Sequence, residues 1–346
     1  MVAEDMRLRG EAGNEVTQQQ RNVEEMLERA ARTEQRDAAQ ELADKTQARP
    51  NVAQTPRRMM AGIACTLVGG VLWGVNGSVS KILMEQYDAS PMWVACVREI
   101  FAGLIFLACG AIGSPKAMRK AFTTVRDYLM YLVTALTCVT LVQVAYLFSI
   151  HWTNAGTATV LQTVNLLMVL VYVCVRGRRK PTVHEVVGVA LAFAGVWLLA
   201  TGGDLGALSL PLPGLLWGLA DAFACACLAI IPVKLIAKYG NFVVNGITFL
   251  LSGLILTPFV RPWAHVPAFD ARGWWLLVFT VVVGTFVAFW LYMAGVVRIG
   301  SMRATMFGTI EPVAATVTAV MWTGAIFTPI DLIGFALILI MAFLVH

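Results

Sequence analysis

Polar residues dominate positions 1–58, and apolar residues dominate the rest of the chain. Ten apolar runs follow, at about 59–84, 91–113, 127–150, 155–175, 184–201, 213–235, 241–260, 274–297, 301–323 and 330–345. Most hold the ~20 residues that a bilayer-spanning helix requires. The fifth and tenth are shorter but nearly pure in Ala, Val, Leu, Ile and Phe. No stretch alternates apolar and polar residues, so a membrane barrel is not expected. The pattern predicts an all-α integral membrane protein with ten transmembrane helices, preceded by a polar tail over 1–58. Val16, Val23, Leu27 and Ala31 form only a thin stripe in that tail. It also lacks the apolar core and cleavage site of a signal peptide.

Composition agrees. Of 346 residues, 58% are hydrophobic and 14% charged, with a mean hydropathy of +0.71; a soluble chain carries about 25% charged residues. The basic residues lie between the runs, not on one face, so nucleic acid is not an expected partner. Arg57, Arg58, Lys116, Arg119, Lys120, Arg126, Arg176, Arg178, Arg179, Lys180, Lys234, Lys238, Arg298 and Arg303 fall before run 1 and in alternate connections, 14 in all. The other connections hold 3, namely Lys81, Arg261 and Arg272. The positive-inside rule then puts both termini in the cytoplasm. The 7 cysteines all fall in apolar runs, which suits buried packing and not a disulfide framework.

The runs repeat. Leu72-Trp73-Gly74 aligns with Leu216-Trp217-Gly218 at a shift of 144 residues. Further on the shift is 146: Tyr146 falls on Tyr292, Ala158-Thr159 on Ala304-Thr305, Thr163 on Thr309, Glu185 on Asp331 and Gly188 on Gly334. Two repeats are expected, over 59–201 and 210–346, each of five helices. Five is odd, so the second copy crosses the membrane the other way up. Inverted-topology repeats of this kind place a binding site near the midplane, between the halves.

Four stretches, "VGGVLWGVNGSVSK", "NAGTATVLQTVN", "LLWGLADAFACACLAIIPVKLI" and "SMRATMFGTIEPVAATVTAVMWTGAIFTPIDLIGFALI", resemble the EamA branch of the drug/metabolite transporter superfamily. The resemblance covers roughly residues 62–345 and leaves out the charged tail. It implies a multi-pass transporter of small metabolites, often amino acids and usually exported, in a bacterial inner membrane. Leu166 stands where the family usually shows proline, which implies that the first half lacks the helix break of the second.

Chemistry is expected from polar residues deep in the runs, because a charge in lipid costs a few kcal/mol or more. Glu311 lies about ten residues into run 9, and its symmetric counterpart is Asn165 in run 4. Glu311 reads as a substrate- or proton-binding carboxylate, or as a packing residue hydrogen-bonded to its neighbours. Pro312 frees the carbonyl of Gly308 and so predicts a local helix break. Asp221 is a second intramembrane carboxylate. Arg98 suits a substrate carboxylate, but it could equally pair with Glu99 or Asp221. Trp73, Asn76, Tyr146, Gln162, Trp217, Tyr292 and Thr305 are candidates for the cavity wall, with Trp290 also considered. Gln143 and Thr159 read more simply as interhelical packing.

No P-loop, His-Glu-x-x-His or Gly-x-Ser-x-Gly motif occurs, so an ATPase or hydrolase is not expected and no cofactor or metal is implied. The expected partners are a small-molecule substrate, the bilayer and, if transport is coupled, a proton. Uptake or uniport by the same fold, a membrane-embedded enzyme on lipid-linked substrate, and an anchor or sensor serving the tail are the alternative readings.

Overall fold

The computed structural model describes residues 56–204 and 208–345; the polar tail expected over 1–58 lies almost wholly outside them. Ten apolar helices follow one another: α1 Pro56–Gln86, α2 Pro91–Gly113, α3 Val125–Trp152, α4 Ala155–Arg176, α5 Val183–Thr201, α6 Leu212–Ile230, α7 Asn241–Val260, α8 Ala271–Ile299, α9 Arg303–Thr323 and α10 Pro329–Leu344. Among the described residues there is no strand, and nine of these helices are long and apolar enough to cross a membrane. The tenth, α10, has 16 residues and packs along α5.

Capping residues set several of the starts. Ser90 caps α2 and is followed by Pro91; the Asn154 side chain accepts from Thr157 N at 2.9 Å; the Asp270 side chain accepts from Gly273 N at 2.7 Å. Thr182 with Glu185 and Thr328 with Asp331 form two capping boxes, which open α5 and α10. The sixth run breaks early. Pro232 cannot continue a helix, so α6 stops at Ile230 and a separate short helix, Val233–Tyr239, carries the chain to α7. A second short helix, Pro115–Thr123, joins α2 to α3 and carries Lys116, Arg119 and Lys120. Both connectors lie on the face that holds the 14 Lys and Arg residues, called the basic face below.

Contacts between the halves come in symmetric pairs. In α1, Gly69 approaches Ala288 and Tyr292 of α8; in α6, Gly214 approaches Trp152 and Thr153 at the end of α3. Gly74 of α1 lies against Glu311 and Ala315 of α9, and its equivalent Gly218 of α6 lies against Leu161 of α4. The α2–α7 and α5–α10 pairs are each their own counterpart. Gly103 abuts Leu250 while Gly246 abuts Leu107, and the Gly195 and Gly334 backbones face each other. Small residues permit this approach, which matters in a membrane because helix association there rests on close packing. The result is the inverted two-fold arrangement of five-helix repeats.

Candidate functional site

A cavity of about 450 Å³ lies between the halves. Trp73 and Asn76 reach it from α1, Arg98 and Phe106 from α2, Gln143 and Tyr146 from α3, and Gln162 and Asn165 from α4. The second half supplies Cys225, Asn241, Asn245, Phe249, Thr285, Phe289, Met293 and Glu311. Ile236, Asn241 and Met293 carry the lining toward the basic face.

Toward the opposite end, hydrogen bonds tie α1 to α9 and to α3. Ser78 Oγ and Thr318 Oγ1 are 2.8 Å apart, joining α1 to α9. Lys81 Nζ donates to the carbonyls of Ile150 and His151 at 3.0 and 2.8 Å, and lies 3.1 Å from Glu85. These bonds satisfy carbonyls at the C-terminal end of α3, where a cation is also favoured by the helix dipole.

Two interrupted helices present their second segments to the cavity. In α9 the regular backbone stops at Gly308 and resumes at Ile310. Pro312 has no N–H to offer the Gly308 carbonyl, which accounts for the break. Glu311 therefore sits in the first turn of a new helical segment, where the dipole favours an anion. Its carboxylate has no hydrogen-bond or ion-pair partner among the described residues, so it does not tie α9 to a neighbour.

The equivalent break in α4 corrects the expectation drawn from Leu166. That helix stops at Gln162 and resumes at Asn165 without a proline. Here side chains take the carbonyls: the Thr163 hydroxyl donates to Thr159 O at 2.9 Å, and Asn165 Nδ2 donates to Gln162 O at 2.8 Å. The backbone tightens to three-residue bonds, with Val164 N on Leu161 O and Leu167 N on Val164 O.

The other wall elements, α3 and α8, each contain a π-helical stretch, Ala135–Thr140 and Phe279–Val287. Threonine hydroxyls bond five residues back in both: Thr140 to Ala135 O at 3.0 Å and Thr285 to Thr280 O at 2.8 Å. Such turns recur at functional sites and displace the side chains that follow them.

The sequence candidates divide. Glu311, Asn165, Arg98, Trp73, Asn76, Tyr146 and Gln162 share the cavity. Trp217 does not line it; its ring stacks on Phe148 at 4.9 Å. Tyr292 packs on Trp73 at 5.0 Å and behind Gly308, one layer back. Thr305 also lies outside the lining, and Trp290 is 50% exposed on the outer surface. Asp221 is 0% exposed, with its Oδ1 3.7 Å from Cys225 Sγ. Arg98 pairs with neither Asp221 nor Glu99 among the described residues; it donates to Gln143 Oε1. Gln143 thus belongs to the site, having been read as packing. Asn241 and Asn245 were missed, although two amides one turn apart in an apolar run were a visible signal.

Several buried polar atoms at or beside the cavity have no hydrogen-bond partner among the described residues: Asn76 Oδ1, Arg98 Nε, Tyr146 OH and Asp221 Oδ2. Buried polar atoms are almost always hydrogen-bonded, so these are available to a polar ligand or water. With a cation, a carboxylate and several amides beside aromatic faces, the cavity has the makings of a site for a small polar molecule.

Comparison with known proteins gives the chain its kinship. The model of the EamA-like transporter family matches twice, over residues 60–201 and 212–346. The uncharacterized inner membrane transporter YicL of Salmonella typhimurium is 32% identical over 281 residues, which is 80% of this chain and 92% of that one. The uncharacterized transporter YwfM of Bacillus subtilis is 21% identical over 282 residues, covering 79% and 90%. A protein of known crystal structure shares the fold, with a TM-score of 0.55 at 17% identity over 81% of this chain and 96% of that one. This multi-pass membrane protein belongs to the EamA-like transporter family.

Proposed function

We propose that the protein is a secondary transporter that exports amino acids or similar small polar metabolites by alternating access. The observation that carries this is that Arg98 and Glu311, from opposite halves, line one cavity together with Asn76, Gln143, Gln162, Asn165, Asn241 and Asn245. Opposite charges among amides suit a zwitterion. The guanidinium takes the carboxylate, and Glu311, at the start of its helical segment, takes an ammonium group or a proton.

The excess of Lys and Arg on the basic face supports a cytoplasmic location for that face and for both termini. The lining at Ile236, Asn241 and Met293 then lies toward the cytoplasm, where an exporter loads. The repeats, 59–201 and 210–346, are the two bodies that rock about the site. Release would require parting the contacts of Ser78 and Lys81 at the far end.

The test is counterflow in proteoliposomes with a panel of labelled amino acids and other small metabolites. Saturable exchange of a zwitterion, lost in Glu311→Gln, is the expected result. No exchange of any compound, or full exchange with unchanged pH dependence in Glu311→Gln, would sink the assignment.

A further inference from the structure

Behind the cavity wall, α2, α3 and α7 share a second buried polar cluster. Glu99, next in sequence to Arg98, is 0% exposed. Its Oε2 lies 2.6 Å from Ser252 Oγ on α7. Ser252 Oγ lies 2.5 Å from Thr140 Oγ1 on α3. Thr140 Oγ1 lies 3.0 Å from the carbonyl of Ala135. Three contacts of hydrogen-bond length thus follow in series, from a carboxyl through two hydroxyls to a carbonyl.

Counting protons decides the charge. Each contact needs one hydrogen. Each hydroxyl supplies one, and the Ala135 carbonyl supplies none. Two hydrogens cannot serve three contacts, so the third is on Glu99. The chain then runs one way: Glu99 donates to Ser252, Ser252 to Thr140, and Thr140 to Ala135. An ionised Glu99 would leave one of the three contacts without a hydrogen, two lone pairs facing each other. It would also be a buried anion with no ion pair among the described residues, which is strongly unfavourable, because the neighbouring Arg98 donates to Gln143 instead. Glu99 Oε1 has no hydrogen-bond partner among the described residues.

We propose that Glu99 is a proton-binding carboxyl, separate from Glu311, that holds its proton in the conformation in which Arg98 is turned to Gln143. The groups facing it are few. On its own helix they are Arg98 and the Cys96 thiol. From α7 and α3 the facing groups are Ser252 and Thr140, which do not ionise in this range. The π stretch of α8, which also packs on α2, carries no ionisable side chain. Arg98 is therefore the cation at hand when the proton leaves. Losing the proton leaves one of the three contacts without a hydrogen and draws Arg98 from the cavity toward Glu99. Proton occupancy would then set whether Arg98 faces substrate. This last step rests on the transport reading; the protonation of Glu99 does not.

Infrared spectroscopy of the purified protein in lipid separates the two. At neutral pH the protonated-carboxyl stretch should lose a component in Glu99→Gln and keep that component in Glu311→Gln. Superimposable wild-type and Glu99→Gln spectra in that region would overturn the proposal. Glutamine supplies an N–H where the acid supplies O–H, so Glu99→Gln should fold. If it does not, Ser252→Ala removes the acceptor of that proton and should move the same component to higher frequency; an unmoved band counts equally against it. In counterflow, Glu99→Gln should keep exchange but lose its pH dependence, whereas a wild-type pH profile would overturn the coupling. If wild-type protein exchanges nothing, the transport reading fails and the infrared result still judges Glu99.

Discussion

Arg98 on α2 is held by Gln143 on α3 through a hydrogen bond to the amide oxygen, so a guanidinium that is only 2% exposed is positioned by a neutral group. An amide orients the cation without neutralising it. Gln143→Glu would replace this bond by an ion pair and take up the charge. Counterflow should fall about tenfold or more, equivalent to about 1.4 kcal/mol of lost substrate interaction, while thermal unfolding occurs no earlier than in wild type. Apparent affinity and melting measured together check both halves of the prediction.

Gly74 sets the approach of α1 to α9. A Cβ there would lie 2.5 Å from the Glu311 carbonyl oxygen and 2.7 Å from Ala315 N. Both are backbone atoms and cannot swing aside. Gly74→Ala should cost about 1–3 kcal/mol, as overpacking does, and should loosen the nearby Ser78–Thr318 contact. Gly113→Ala is the control, since a Cβ at that position meets nothing within 4 Å. Thermal unfolding in detergent should show a drop for the first and none for the second.

Lys81 fastens the far end through Ile150 and His151. Lys81→Met keeps most of the stem and removes every donor. The far end should then open more often. Native Cys138 and Cys225 line the cavity and serve as reporters. A membrane-impermeant maleimide applied from the side opposite the basic face should label them faster in the variant. Equal labelling rates would show that Lys81 does not hold that end shut.

The break in α4 predicts an unusual tolerance. Leu166 N bonds only to Thr163 O, at 3.2 Å, and the Gln162 carbonyl already accepts from the Asn165 side chain. Proline at position 166 would therefore remove one long bond, as Pro312 does in the other half. Leu166→Pro should be much milder than Val169→Pro, which falls within the regular helix and should cost about 3 kcal/mol or more. Equal destabilisation of the two variants would contradict this account of the break.

The paired capping boxes make a symmetric prediction. Thr182→Ala and Thr328→Ala each remove a side-chain acceptor for the third backbone N–H of a helix. Each should cost about 1 kcal/mol, by similar amounts, because α5 and α10 pack on each other as equivalents. Chemical or thermal unfolding of the two single variants tests this.

Sequence alone determined the ten runs, their inverted repetition and the polar residues stranded within them. Lipid imposes this legibility. A spanning helix needs a minimum apolar length, and a charge inside one stands out because it is costly. The shift of 146 residues paired Glu311 with Asn165 and Glu185 with Asp331, and both pairs occupy equivalent places in the folded chain.

Only the tertiary structure decided which face of each helix turns inward. Lipid and protein interior are both apolar, so hydrophobic periodicity hardly distinguishes the two sides of a membrane helix. Trp73 reaches the cavity while its repeat equivalent Trp217 stacks on Phe148. Asn241 and Asn245 join the wall through the placement of α7, and the π stretches of α3 and α8 have no punctuating residue to announce them. The α4 break arose from side-chain hydrogen bonds of Thr163 and Asn165, not from a proline. Glu99 became visible as a proton site only when folding set Ser252 and Thr140 in line with it.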